Sequence, residues 1–573
     1  MQLLINHLGY EPQAPKHAIL VTKQPQLDDT KVRLVNADNG EVLASLNAVA
    51  QPDVANWQRG YFHRIDFSHL TQSGQFYLAH AKTHSQVFDI KDQNMLTTTF
   101  SDLLHYFKSQ RCSGEFERHD RQIKLYDSQQ RIDARGGWYD ASGDVSKYLS
   151  HLSYANYFNP QQIPMLVWNL FKSAELVNEN DQFAPFLLRR LNEEALHGAD
   201  FLVRMQAPQG FFYMTVFDQW SKQTEQREVC AYATQQGIKS AAYQAGFRQG
   251  GGVSIAALAR AARGSEGGEY SPQQYLDAAE RGYQHLLEHN TAYLDDGIEN
   301  IIDDYCALLA SVELYKSCQK LEYLDRSRQF AQRLAARQQS DSHIRHFWAA
   351  NHDGSRPYFH AAEAGLPGIA LCEYVRIETD AERRTEIVKT ITQAAQFELA
   401  ISAEVSNPFG YPRQYVKDLD GPKRSAFFIA QHNETGYWWQ GENARLSSLA
   451  CFAYQSAQVI DDKKLTSQLA GYAQQALNWI LGLNPFDICM LDGHGRNNPN
   501  YLPELGFCNA KGGICNGITA GFSDPHSIAF NPEPYANDLL QNWRWGEQWI
   551  PHAAWFLLAV SHHSHHYHST NVA

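Results

Sequence analysis

Residues 136–144 read GGWYDASGD, so Asp140 and Asp144 stand four positions apart beside Trp138 and Tyr139, with no Lys or Arg in the stretch. Two carboxylates held close together and partly screened from water repel each other and titrate apart. Such a pair suits orienting and deprotonating a water molecule. Aspartates at this spacing also serve as Asx-turns or helix N-caps. Far along the chain, NWRWGEQWIPHAAWFLLAV sets Glu547 between Trp545 and Trp549, just ahead of an apolar run. A carboxyl against indole rings is desolvated, which favours its neutral form and makes a proton donor near neutral pH. The plainer role for such a residue is to complement a helix dipole. Acid, base pair and rings together are the parts of a glycosidase.

Something must bring these distant segments to one cleft. Residues 1–92 are β-rich: KHAILVT, KVRLVNADNGEVLAS, YFHRIDFS and GQFYLAH are short, partly alternating runs between turns. Asn39-Gly40 marks a hairpin, because both residues tolerate positive φ. This spacing predicts a small antiparallel sandwich. From residue 97 to 573 the period becomes helical. In YLDAAERGYQHLLEH, for example, Leu276, Ala279, Tyr283, Leu286 and Leu287 share one face. Gly482 and Asn484-Pro485 form a helix stop. Helix pairs alternating with long Gly/Pro/Asn-rich loops suit a closed α/α barrel. The tail HHSHHYHSTNVA, with His562, His563, His565, His566 and His568, is expected to fray.

The net charge of −13 argues against nucleic acid and anionic membranes as partners. Nine scattered cysteines without a CxxC pair favour a reducing compartment. MQLLINHLGYEP lacks a basic n-region, and no apolar run approaches a membrane span. The expected location is therefore cytoplasmic.

A set of motifs in a fixed order adds to this reading. INHLGYEPQAPKHAIL is similar to the start of an immunoglobulin-like domain found ahead of many catalytic domains of glycoside hydrolase family nine. LLHYFKSQRCSG resembles that family's first barrel helix, and GGWYDASGD resembles its Gly-Gly-(aromatic)-x-Asp-Ala-Gly-Asp motif. HGADFLVRMQ, IIDDYCALLASVELY, HAAEAGLPGIAL, WILGLNPFDICMLDGHG and NGITAGFSDP follow in the family's order. GEQWIPHAAW is similar to the stretch that carries the family's catalytic acid. The resemblance implies an inverting enzyme on an (α/α)6 barrel behind an immunoglobulin-like sandwich. It makes Glu547 the general acid and Asp144 the general base, with Asp140 holding the water, and it requires no cofactor or metal. Inversion leaves room for water between acid and base, about 6.5–9.5 Å.

The sequence departs from the pattern at several points. One extra residue separates Asp140 from Asp144, Gly546 stands where the family has Asn, and DGHGRNNPNYLPELG replaces a His-His-Arg stretch that helps bind glucose. With these changes the chain resembles the exo-β-D-glucosaminidases of chitin-degrading marine bacteria. The resemblance implies release of glucosamine from the non-reducing end of chitosan oligosaccharides or partly deacetylated chitobiose. A subsite carboxylate would select the ammonium group. Asp492, His494 and Glu442 are candidate substrate contacts, and Trp438 and Trp439 candidate stacking platforms. A cellodextrin β-glucosidase or endo-β-1,4-glucanase is the alternative, and a non-catalytic carbohydrate-binding protein a more distant one. Asp303 and Asp304 are expected to brace a helix.

Overall fold

The computed structural model of the 573-residue chain describes residues 1–151, 155–177, 183–233, 236–436, 439–502, 509–533 and 535–569. Trp438 lies outside these residues.

Nine strands come first: β1 (Gln2–Leu4), β2 (Gly9–Tyr10), β3 (His17–Thr22), β4 (Lys31–Asn36), β5 (Val42–Ala50), β6 (Tyr61–Asp66), β7 (Gly74–His80), β8 (Thr83–His84) and β9 (Phe88–Ile90). Their order is β1-β3-β6-β5-β4-β7-β9-β2, with β8 on β7. Strand β5 is long enough to serve both halves: Val42 to Asn47 pair with β4, and Ala48 to Ala50 pair with β6. The β4–β5 turn uses Gly40 at φ 74°, while Asn39 keeps negative φ and its Oδ1 accepts from the Glu41 amide (2.9 Å). Strand alternation splits β3 between two interiors. Ala18 and Leu20 pack in the sandwich with Val32, Leu34 and Phe76. Ile19, with Leu4 and Phe62, packs in the core of the helical domain.

That domain contains α1 (Asn94–Gln110), α2 (Gly114–Asp120), α3 (Ile163–Glu175), α4 (Ala184–Arg204), α5 (Gly252–Ala261), α6 (Pro272–Tyr293), α7 (Ile301–Cys318), α8 (Leu321–Ala335), α9 (Leu366–Val375), α10 (Ala381–Ser402), α11 (Asn443–Ala457), α12 (Lys463–Ile480), α13 (Leu539–Gly546) and α14 (Ile550–Ser569). Helices α3, α5, α7, α9, α11 and α14 touch in sequence and close back on α3. Each carries one outer partner: α4, α6, α8, α10, α12 and, for α14, α1. The result is six hairpins in two rings. Composition explains which ring a helix joins. Every residue of α5 (GVSIAALARA) and α9 (LPGIALCEYV) is buried, as a helix apolar on all sides must be. Outer α8 buries only Tyr323, Leu324, Ser327, Phe330, Ala331 and Leu334. On α6 the buried stripe centres on Tyr275, Ala278 and Ala279, so Leu276 and Leu287 lie at its edge.

Helix starts follow their caps. At α7 the Asn300 side chain accepts from the Ile302 amide (2.8 Å), and Asp303 accepts from the Asn300 amide (2.9 Å). Asp303 also pairs with Arg248, and Asp304 with Arg333 and Arg337. The C-terminal histidines correct the expectation of a frayed tail. His562 and His563 are buried on inner helix α14, and His563 Nδ1 lies 2.7 Å from the Tyr454 hydroxyl. The apolar run of α14 continues straight into them, so the inner ring needs that turn. Among the described residues no helix is long and apolar enough to cross a membrane, and the eight cysteines there are free thiols.

Candidate active site

Backbone pairing joins the two chemical segments. Ala141 and Trp549 form an antiparallel bridge. The Ser142 amide donates to the Gln548 carbonyl (2.9 Å) and the Ile550 amide to the Asp140 carbonyl (3.0 Å). On its other side the Glu547 carbonyl accepts from the Asn516 amide (2.8 Å). Residues 140–144, 547–550 and 514–516 thus run side by side at the start of α14.

The carboxylate loop is also clamped from below. Lys147 Nζ donates to the carbonyls of Ala134 and Gly136, and Arg227 Nη1 donates to the carbonyl of Val145 (2.8 Å). Asp120 is the shared counterion, 2.6 Å from Lys147 and 2.8 Å from Arg227 Nε. All three side chains are fully buried. Burial raises the Asp120 pKa, but Lys147 and Arg227 outweigh it and hold the carboxyl below its usual range. Glycine is needed at position 136, at φ 79°, and at position 137, at φ 71°.

Asp140 and Asp144 are both buried. Oδ1 of Asp140 accepts from Gln162 Nε2 and from Trp549 Nε1 (3.0 Å). Oδ1 of Asp144 accepts from the Ser146 amide (2.8 Å), and Oδ2 accepts from the Tyr148 hydroxyl (2.8 Å) and Trp220 Nε1 (3.1 Å). Among the described residues, Asp140, Asp144 and His151 are the one acid or histidine trio close enough to share an ion, with ligand atoms within 4.8 Å of one another. A gap of that size also seats a water between two carboxylates.

Glu547 caps the end of α13. Its carboxyl sits over the loop, since a Cβ added at Gly143 would meet Oε1 at 2.6 Å. Burial, then the charge of Asp144, raises its pKa to about 8, against opposing pulls from the Gly143 amide and Lys222. Burial, then Asp144 and Glu547, pushes Asp140 well above the usual carboxylate range. Asp144 is also raised, by burial and then by Asp218, but Ser146 and Tyr148 favour its charged form. Burial lowers His151 to about 3, so it is neutral. Burial thus raises all three carboxyls, and the hydrogen bonds to Asp140 and Asp144 oppose it.

Glu442, Trp439 and His494 are occupied elsewhere. Glu442 corrects the expected substrate contact. It is buried, pairs with Arg445 (2.6 Å) and accepts from the Ile429 amide (2.7 Å), so it anchors the start of α11. Trp439 is buried with the Arg544 guanidinium 4.4 Å from its ring, which leaves no free face for a sugar on that side. His494 bonds Asp102 of α1 (2.9 Å). Asp492 is half-buried, and its amide donates to the Gly513 carbonyl (2.9 Å) beside the 514–516 segment. Trp138 packs in the core and donates to Glu194 (2.8 Å). Sequence reasoning missed Gln162, His151, Tyr148, Trp220 and Asp218. The pair Gln161-Gln162 ahead of an otherwise apolar helix was a usable signal for the first. Trp220 gave none.

A buried carboxylate pair facing a raised-pKa glutamate, at one end of a two-ring helical barrel, defines a glycoside hydrolase. Residues 97–504 match the glycosyl hydrolase family 9 model and residues 1–85 the cellulase N-terminal ig-like domain. The chain belongs to glycosyl hydrolase family 9. Similar solved structures include a metagenome-derived family 9 endoglucanase (19% identity, TM-score 0.69, covering 98% of this chain and 99% of that one). A family 9 protein of Bacteroides ovatus is also similar (17%, TM-score 0.67, 98% of each chain). So is AaCel9A in complex with cellobiose-like isofagomine (17%, TM-score 0.65, 98% of this chain and 99% of that one). No curated protein matches the chain.

Proposed function

We propose that the chain hydrolyses β-linked glucosaminyl oligosaccharides with inversion at the anomeric carbon. Glu547 donates its proton to the glycosidic oxygen as the bond to the leaving sugar breaks. Asp144 takes a proton from the water whose oxygen attacks the opposite face, and Asp140 orients that water. The observation that carries this reading is the split in environment: Glu547 at about 8 is protonated at neutral pH, while Asp144 has three donors that favour its charge. The sugar preference is supported by Asp140, Asp144 and the buried Asp218 behind them, beside a neutral His151. That concentration of acids favours a ring bearing an ammonium group.

A second reading, an endo-β-1,4-glucanase, is favoured by the similar solved structures, one of which is an endoglucanase and another of which binds a cellobiose-like isofagomine. Product analysis on chitosan oligomers and cellodextrins separates the two. Glucosamine released one unit at a time supports the first reading. Cleavage of cellodextrins with no action on glucosamine oligomers overturns it. A proton-NMR time course showing the α-anomer as first product supports inversion, and the β-anomer refutes it.

A further inference from the structure

We propose that Trp220 is a positioning residue for Asp144, fixing through its indole N–H which oxygen of that carboxylate accepts the proton. The inference rests on the reading of Asp144 as the base. A carboxylate oxygen offers two lone pairs. Among the described residues Tyr148 and Trp220 both donate to Oδ2, whereas Oδ1 accepts from the Ser146 amide, with the Ser146 hydroxyl close to Asp144 but turned to Asp218. The lone pair left for a proton is therefore on Oδ1. Ser146 and Tyr148 belong to the same loop as Asp144. Trp220 comes from a separate segment, so it ties the carboxylate to the rest of the protein.

That segment is strained. Gln219, Trp220 and Lys222 have φ of 59°, 57° and 56°, the left-handed region that residues with side chains avoid. Asp218, fully buried, holds the turn: Oδ2 accepts from the Lys222 amide (2.7 Å), and its carbonyl accepts from the Ser221 hydroxyl (2.7 Å). Its Oδ1 accepts from the hydroxyl of Ser146 (2.8 Å), whose amide serves Asp144. One aspartate thus fixes donors to both oxygens of the base. Phe217 and Tyr232 meet the indole edge-on, at 5.0 and 5.9 Å, and set its plane. The titratable groups around Asp144 include Asp140, Glu547, Asp218, His151, Tyr148 and Tyr501. Against the acids in that set, each donor to the charged form matters.

Trp220→Phe keeps a ring and removes the N–H. The acidic limb of kcat/KM should move upward by about one pH unit, with kcat down about tenfold and KM little changed. An unmoved limb with normal kcat overturns the proposal. A second readout needs no turnover. Indole emission of the wild-type protein should show a titration step from Asp144 that is lost in both Trp220→Phe and Asp144→Asn. Its survival in both overturns the proposal. If the protein hydrolyses no oligosaccharide, the functional reading fails, while this titration still decides the role of Trp220. Should Trp220→Phe fail to fold, Gln219→Gly relieves φ strain next door without changing a charge. A higher Tm with lower kcat supports the proposal, and a higher Tm with unchanged kcat overturns it.

Discussion

Glu547 rests on Gly143, close enough that a single methyl on the glycine would meet its Oε1 at 2.6 Å and the Tyr501 ring at 3.1 Å. The loop that bears Asp144 is therefore also the surface against which the Glu547 carboxyl is placed. Gly143 is the residue next to Asp144, within the segment lengthened by one position.

Gly143→Ala tests this placement. Gly143 does not need positive φ, and the clash falls on the end of a flexible side chain, so the fold should survive with Tm within a few degrees. The displaced acid should lower kcat by about 10²-fold. Steady-state kinetics beside a melting curve check both halves.

Glu547→Gln and Asp144→Asn should each cost about 10²–10⁴-fold in kcat on natural glycosides. Only the first should recover on substrates with strongly acidic leaving groups, which need no protonation. In the wild type, Glu547 must be protonated, so kcat/KM should fall as pH rises through about 8. Glu547→Gln should lack that limb.

Glu363, buried at the start of α9, accepts from the Tyr305 hydroxyl (2.6 Å) and the Gln161 amide (2.8 Å), and burial lifts its pKa from 4.5 to about 8. A carboxyl with a raised folded-state pKa contributes stability that is complete below about 4.5 and lost as pH rises to about 8. Glu363→Gln keeps an acceptor and cannot ionise. Its stability relative to wild type should climb between those pH values and level off above, by an amount on the order of a few kcal/mol. Thermal melts across the range measure it.

Asp120→Asn leaves Lys147 and Arg227 buried without their counterion. The expected destabilisation is about 3–5 kcal/mol, read by denaturant unfolding. Glu313, fully buried on α7 and paired with Arg260 and Arg263, is the comparison. Glu313→Gln should cost similar stability, yet leave the kcat of the folded fraction far closer to wild type.

The parts of this molecule that were readable in its sequence are those with a period or a motif. GQFYLAH became β7 because alternation survives on a half-buried strand, and KHAILVT became β3 as an apolar run buried on both faces. The barrel helices showed their 3.6-residue repeat. The closeness of Asp140, Asp144 and Glu547 rested on motif order, and the bridge from Ala141 to Trp549 is its physical basis. Trp220 was unreadable, because its bond to Asp144 spans 76 residues and depends on a turn no local propensity favours. Glu442 misled for the opposite reason. A carboxylate beside tryptophans in a loop looks like a ligand until Arg445, one helical turn on, is seen to claim it.

Strand β3 faces two interiors at once, and Asn6 reaches across to Asn478 (2.9 Å) while His7 meets Asp487 (3.0 Å). The cellulase-type ig-like domain is for this reason not a handle that can be cut away to give a leaner catalyst. A truncation would strip Leu4, Ile19 and Phe62 from the barrel's core and expose the flank they cover. Anyone exchanging such domains between enzymes would be grafting half of a core, and would need to carry the matching α12 surface with it.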